Sequence, residues 1–216
     1  MVATHEKAGS AALGLAILAM VGVVAASNYL VQFPFHPFGL QDLLTWGAFT
    51  YPMAFLVTDL TNRKFGPKVA RLIVLVGFAL AVVLSIWLAT PRIAIASGTA
   101  FMVAQMLDVF IFNRLRQDAW WKAPLTSSFL GSTLDTIIFF GIAFSVQFAI
   151  LDTGFGMTPD GFPTDHAPLL GVATAEAPRW ISWAIGDYLV KMLVSLIMLA
   201  PYKILRGRVD ALAPSA

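Results

Sequence analysis

Asp108 and Asp135 stand inside long apolar runs. An ionisable side chain near a bilayer centre costs at least about 2.5–3.5 kcal/mol, so it normally faces a cavity or a partner. The two occur in similar contexts, LDVFIF at 107–112 and LDTIIF at 134–139. Counting along the runs places them at similar depth in two neighbouring antiparallel helices. Gln105 precedes Asp108 by three positions and so shares its helix face. A carboxylate beside an amide offers acceptors and a donor to a planar polar ligand. Asp187 and Lys191 are four apart, the spacing at which opposite charges pair along a helix. A self-neutralising pair that eases insertion is the plainer reading, and a pair that opens for a ligand is the sharper one. Asp59 faces Arg63 at the same spacing, as a helix-end anchor or as a binding group. Asn28 and Gln32 share a face of the first run. Trp46 and Phe49 offer rings for stacking on a flat ligand, with a place in an aromatic belt as the alternative. Arg92, after Pro91, reads as an interfacial anchor, and Trp120, Trp121, Trp180 and Trp183 read as belt residues.

Absent motifs narrow the chemistry. The 216 residues contain no cysteine, which excludes disulfides, thiol catalysis and Cys-ligated metals. No GxxxxGK[ST], HExxH or GxSxG pattern occurs, and His5, His36 and His166 lie outside the apolar runs. ATP hydrolysis by a P-loop, zinc proteolysis and serine hydrolysis therefore lack their residues. An aspartyl dyad of Asp108 and Asp135 is the one catalytic alternative, which nothing else in the chain supports. No cofactor or metal is called for. A net charge of +2 is too small to indicate a nucleic-acid partner.

These residues must be carried by elements that lipid tolerates. The chain is 58% hydrophobic and 12% charged, against roughly a quarter charged in soluble domains. Only structures that satisfy their own amides cross a bilayer, so the reading is an all-α, polytopic membrane protein. Five runs, 11–32, 69–90, 93–113, 127–150 and 181–203, each approach the ~20 residues that span hydrocarbon. A sixth, 43–60, is shorter and contains Pro52, which predicts a kinked or re-entrant segment. Eleven of the 14 basic residues then fall on one side: Lys7, Arg63, Lys64, Lys68, Arg71, Arg114, Arg116, Lys122, Lys203, Arg206 and Arg208. By the positive-inside rule that side is the cytoplasm, and both termini lie there. The lesser reading of the first run is a cleaved leader ending near Ala25, Ala26 and Ser27. The expected organisation is a cytoplasmic segment 1–10, a six-helix domain 11–205 and a cytoplasmic tail 206–216. The external loop 152–178 is expected to form a flexible or partly ordered cap. Ala8, Ala12 and Ala16 make a small-residue face on which another membrane subunit would dock; in an Ala-rich span the spacing also arises by chance. A homo-oligomer is a separate expectation, with no face assigned to it.

Several segments resemble a known family. They are SNYLVQ at 27–32, TWGAFTYPMAFLVTDLTNRKFG at 45–66, RIAIAS at 92–97, QMLDVFIFNRLRQ at 105–117, WWKAP at 120–124, LDTIIFFGIAF at 134–144 and DYLVK at 187–191. In order and through nearly the whole chain, they are similar to the bacterial queuosine precursor transporters. The resemblance implies uptake of 7-cyano-7-deazaguanine, and of its aminomethyl analogue, across the inner membrane. It also implies a six-helix fold related to the substrate-binding subunits of energy-coupling-factor transporters, acting without an ATPase module. Carried over residue by residue, the polar positions inside matching motifs are Asn28, Trp46, Asp59, Gln105, Asp108, Asp135, Asp187 and Lys191. Arg63 stands where many members are acidic, so no carboxylate role transfers there, and the 152–178 loop is longer than expected. A solitary secondary carrier and a binding subunit served by a partner ATPase both remain open, with a membrane enzyme or structural protein as a third class.

Overall fold

A computed structural model describes the backbone of residues 2–211 and the side chains of 9–207. The side chains of Lys7, Ala8 and Arg208 therefore lie outside the described residues. The chain runs as helices α1 (Val2–Leu30), α2 (Gly47–Thr50), α3 (Met53–Phe65), α4 (Pro67–Leu88), α5 (Pro91–Leu115), α6 (Lys122–Phe144), α7 (Ile150–Gly154) and α8 (Arg179–Ala211). Among the described residues, five segments are long and apolar enough to cross a membrane: Gly9–Leu30, Pro67–Leu88, Pro91–Leu115, Lys122–Phe144 and Arg179–Gly207. Leu15, Leu18, Leu72, Ile86, Trp87, Ile137 and Leu189 point outward from these helices, as a surface facing lipid would require.

The sixth expected span is a broken helix. Pro52 has no N–H to give, and the backbone around it switches to tighter bonds, Ala54 N–H to Tyr51 O at 3.0 Å and Phe55 N–H to Pro52 O at 3.1 Å. The longer piece, α3, has 13 residues, about 20 Å at the helical rise. It packs against α1, α4, α5, α6 and α8 alike, and Thr58, Asp59, Thr61 and Asn62 are all buried. Its weak apolar character thus reflects a central position among helices rather than exposure to water.

Other boundaries move for local reasons. Gly66, at φ 82°, followed by Pro67 at the first helical position, makes the sharp turn from α3 to α4. The expected span 127–150 is shifted towards its start. Its helix opens at Lys122 and stops at Phe144, where Ser145 leaves helical backbone. α8 runs to Ala211 through Pro201, past the expected boundary at 205. Two antiparallel three-residue strands, β1 (His166–Pro168) and β2 (Glu176–Pro178), depart from the all-α expectation. Together with α7 they order much of the 152–178 loop.

Arg92 is not an interfacial anchor. It is buried, and its guanidinium donates to Asp152 Oδ2 at 2.7 Å, to the Ile142 carbonyl at 2.8 Å and to the Ser145 carbonyl. One planar fork thereby ties the start of α5 to the end of α6 and to α7. Arg92→Lys keeps the charge but loses the fork. It should cost about 1–3 kcal/mol, read as a lower Tm together with faster proteolysis in the 152–178 loop.

Close approach matters at Gly47. A Cβ there would lie 2.8 Å from Val31 Cα and 2.9 Å from Val31 Cβ, so the segment after α1 crosses α2 backbone to backbone. Gly47→Ala should destabilise the fold by about 1–3 kcal/mol, measured as a fall in Tm of the detergent-purified protein. Ala16, expected on a docking face, packs instead against the core cluster that contains Met20 and Val74.

Candidate functional site

The broken α2–α3 unit, with the facing turns of α1, α5, α6 and α8, encloses a cavity of about 980 Å³. That lies at the upper end of the ~300–1,000 Å³ typical of ligand pockets. Its walls come from α1 (Ser27, Asn28), α5 (Ser97, Phe101), α6 (Phe139, Phe140, Phe144) and the loop residues Gln41, Asp42, Phe162 and Pro168. Among the described residues, none that lines it comes from the basic end of the bundle. The opening is therefore at the opposite end, roofed in part by the 152–178 loop.

A charged knot forms the floor. Lys191 Nζ lies 2.7 Å from Asp135 Oδ2 and 2.5 Å from Asp187 Oδ2. Tyr51 donates its hydroxyl to Asp135 Oδ1 at 2.8 Å, and its ring lies under the ammonium, 5.3 Å from the centroid. Thr136 donates to Asp187 Oδ2 at 3.3 Å. Asp187 and Lys191 are thus more than the expected self-neutralising pair, because Asp135 makes a third member. Two carboxylates and one ammonium leave a formal charge of −1. The Asp135 side chain is 5% exposed and that of Asp187 16%. Asp187 Oδ1 takes no hydrogen bond among those described and is the acceptor left for a ligand's donors.

Of the residues singled out from sequence, Asn28, Asp135, Asp187 and Lys191 line this cavity. Asn28 is oriented by its own helix, Nδ2 donating to the Val24 carbonyl at 2.9 Å, while Ser85 donates to its Oδ1 at 3.4 Å. Trp46 does not line it. Its ring packs edge-on against Phe35, 4.7 Å between centroids, and near Phe49. Asp59, Gln105 and Asp108 also lie elsewhere, at a buried polar junction nearer the basic end. There Thr58 donates to Gln105 Oε1 at 2.7 Å, and Ser127 to Asp59 Oδ1 at 3.4 Å.

The similar depth expected for Asp108 and Asp135 is therefore wrong. α6 begins at Lys122, which puts Asp135 near its middle. Ser127, at the junction, is eight residues from Asp135, about 12 Å along the axis.

Sequence reasoning missed Tyr51 and assigned Trp183 to a belt. Trp183 lines the cavity and donates its indole N–H to the Asp42 carbonyl at 2.9 Å. A signal was available: Trp183, Asp187 and Lys191 recur every four residues and so form one stripe of α8. For Tyr51 the only signal was its place beside Pro52 in a span with an interrupted ladder.

Comparison with known proteins adds an independent finding. A family model described as "Putative vitamin uptake transporter" matches residues 45–90 and 84–205. The queuosine precursor transporter of Escherichia coli K12 is 36% identical over 200 residues, covering 83% of this chain and 79% of that protein. The probable queuosine precursor transporter of Haemophilus influenzae Rd is 34% identical over 212 residues, with the same coverage of 83% and 79%. The probable queuosine precursor transporter of Bacillus subtilis 168 is 28% identical over 193 residues, 76% of this chain and 71% of that one. No solved structure matches the chain at a significant level.

Proposed function

The chain belongs to the vitamin uptake transporter family, with queuosine precursor transporters among its relatives, and from that premise we propose that its cavity is the binding site for a queuosine precursor in transit. The precursor is a 7-deazaguanine base, 7-cyano-7-deazaguanine or its aminomethyl analogue. The observation that carries this reading is the charged knot at the floor of an aromatic-walled cavity.

The chemistry of the base fits that floor. Its ring N–H and exocyclic amine are donors, and Asp187 Oδ1 has acceptor capacity free. Lone pairs left on Asp135 add to it, since an ionised carboxylate offers about four acceptor sites. The carbonyl of the base takes a donor from the wall, where Asn28 and Gln32 are within the lining. Phe139, Phe140 and Trp183 supply ring surface for a flat bicycle.

α2 and α3 together serve as the sixth crossing, which gives the bundle an even number of passes and puts both termini on the basic, cytoplasmic side. The cavity then opens outward, away from the cytoplasm, in a bacterial inner membrane. Closure of the basic end by the polar junction makes this the state that receives substrate from outside. On this reading the chain is a solitary carrier, built like a substrate-binding subunit but completing its cycle without an ATPase.

Purified protein reconstituted alone into liposomes tests this. The expected result is saturable uptake of labelled 7-cyano-7-deazaguanine, competed by the aminomethyl analogue. Absence of uptake by the lone chain, with binding retained, would favour a subunit that needs a partner. Absence of binding would remove the substrate assignment altogether.

A further inference from the structure

The junction beneath the cavity holds polar groups that substrate binding does not use. Asp59 of α3 and Asp108 of α5 are neighbours at this junction, with Ser127 of α6 beside them. Asp59 is 2% exposed and Asp108 is completely buried. The Ser127 hydroxyl has one hydrogen, shared between Asp59 Oδ1 at 3.4 Å and the Pro124 carbonyl at 3.5 Å. Both carboxyl oxygens of Asp108 are left without a hydrogen-bond donor, and so is Asn62 Oδ1, one turn after Asp59. Asn62 is itself fully buried, held by its amide on the Val109 carbonyl at 3.0 Å.

No cation acts on either carboxyl among the described residues. The neighbouring charged groups are directed to other partners or lie outward. Arg63 donates to the Arg116 carbonyl at 2.7 Å, and Arg116 to the Asn62 carbonyl at 3.5 Å. On α6, Lys122 pairs with Asp118, and on α4 Lys68 and Arg71 are exposed. From α8 the titratable neighbour is Tyr202, which shares with Asp59 a void of about 10 Å³. That is room for one water-sized occupant.

Of the orphaned atoms here one is a donor, Gln105 Nε2, and three are acceptors, both Asp108 oxygens and Asn62 Oδ1, so acceptors are in excess in a low-dielectric setting. Such a set is satisfied by a small positive charge. We propose that Asp59 and Asp108, with Asn62 and Ser127, form the site of a monovalent coupling cation, a proton or a sodium ion, separate from the substrate cavity. The proposal rests on the transport reading for its role, since a coupled cation needs a cargo. The site lies seven residues along α5 from Phe101 and eight along the chain from Tyr51, both of which line the cavity, or about 10–12 Å away. The Pro52 break at the start of α3 lies between them. Filling the lower site and filling the upper cavity thus bear on the same kinked element, which is the physical route for coupling.

Two measurements test it. The first needs no substrate: the Tm of detergent-purified wild type is read on replacing choline chloride with sodium chloride, and on shifting from about pH 8 to about pH 6. One of these changes should raise Tm in wild type and should do so no longer in Asp108→Asn or Asp59→Asn. Sodium dependence identifies the ion as sodium, and pH dependence alone identifies it as the proton. The same shift in the variants, or no shift in wild type under either change, overturns the proposal.

The second measurement uses liposomes carrying an imposed proton or sodium gradient. Asp108→Asn should bind 7-cyano-7-deazaguanine with a Kd within about twofold of wild type, yet accumulate it roughly tenfold less under the gradient that drives wild type. Full gradient-driven accumulation by the variant contradicts the proposal. Failure of wild type to bind the precursor would instead count against the substrate reading and leave the Tm result standing by itself.

Discussion

Lys191→Met should abolish precursor binding and leave little folded protein in the membrane. The ammonium lies between Asp135 and Asp187 at 2.7 and 2.5 Å, with a side chain 5% exposed. Removing it leaves two carboxylates facing each other without a cation. Breaking a buried ion pair at one partner costs about 3–5 kcal/mol, a large share of the ~5–15 kcal/mol by which a domain is stable. Because the damage comes from the uncompensated charge rather than from lost packing, it should be reversible. Lys191→Met combined with Asp135→Asn and Asp187→Asn should restore folded protein by size-exclusion chromatography and Tm, without restoring transport. If the triple variant is as unstable as Lys191→Met, packing of the lysine stem, and not charge, holds α8 in place.

Asp187→Asn should behave differently, keeping the fold and losing the ligand. Lys191 retains Asp135, which also keeps the Tyr51 hydroxyl, so the ammonium remains paired. What is lost is the negative acceptor at the cavity floor. A hydrogen bond to a charged group contributes about 1.5–3 kcal/mol, or roughly 10- to 100-fold in affinity. The asparagine amide also presents a donor where the base presents donors, which adds repulsion. Calorimetric titration with 7-cyano-7-deazaguanine should therefore show Kd raised by at least about tenfold, with Tm within a few degrees of wild type. An unchanged Kd would place the base elsewhere in the cavity.

The class of the molecule and its five long helices were legible because lipid imposes length and composition directly: about 20 apolar residues to cross about 30 Å. The charged stripe of α8 was legible in part, since Asp187 and Lys191 are four apart. The third member of the knot was not. Asp135 reaches Lys191 across 56 residues, and Tyr51 reaches Asp135 across 84, through packing that no local pattern encodes. The depth of Asp135 was misjudged for a definable reason. KAPLTSS at 122–128 is polar enough to resemble a loop, yet Ala123, Pro124, Ser127 and Ser128 are buried against neighbouring helices and belong to α6. The kinked segment expected over 43–60 is present, but its helix continues to Phe65, its polar residues turned inward to form the lower junction. In a bundle of this size a polar helix face is compatible with lipid whenever other helices cover it, and hydropathy along a single run does not register the covering.

Where the deazaguanine sits decides the substrate assignment. A solved structure of the protein bound to 7-cyano-7-deazaguanine tests that most directly. The base should lie at the cavity floor, its ring N–H and exocyclic amine within hydrogen-bond reach of the Asp187 and Asp135 carboxylates and its plane against the α6 phenylalanines. Density for the base at the Asp59–Asp108 junction, or between the helices and lipid with the cavity empty, would contradict it.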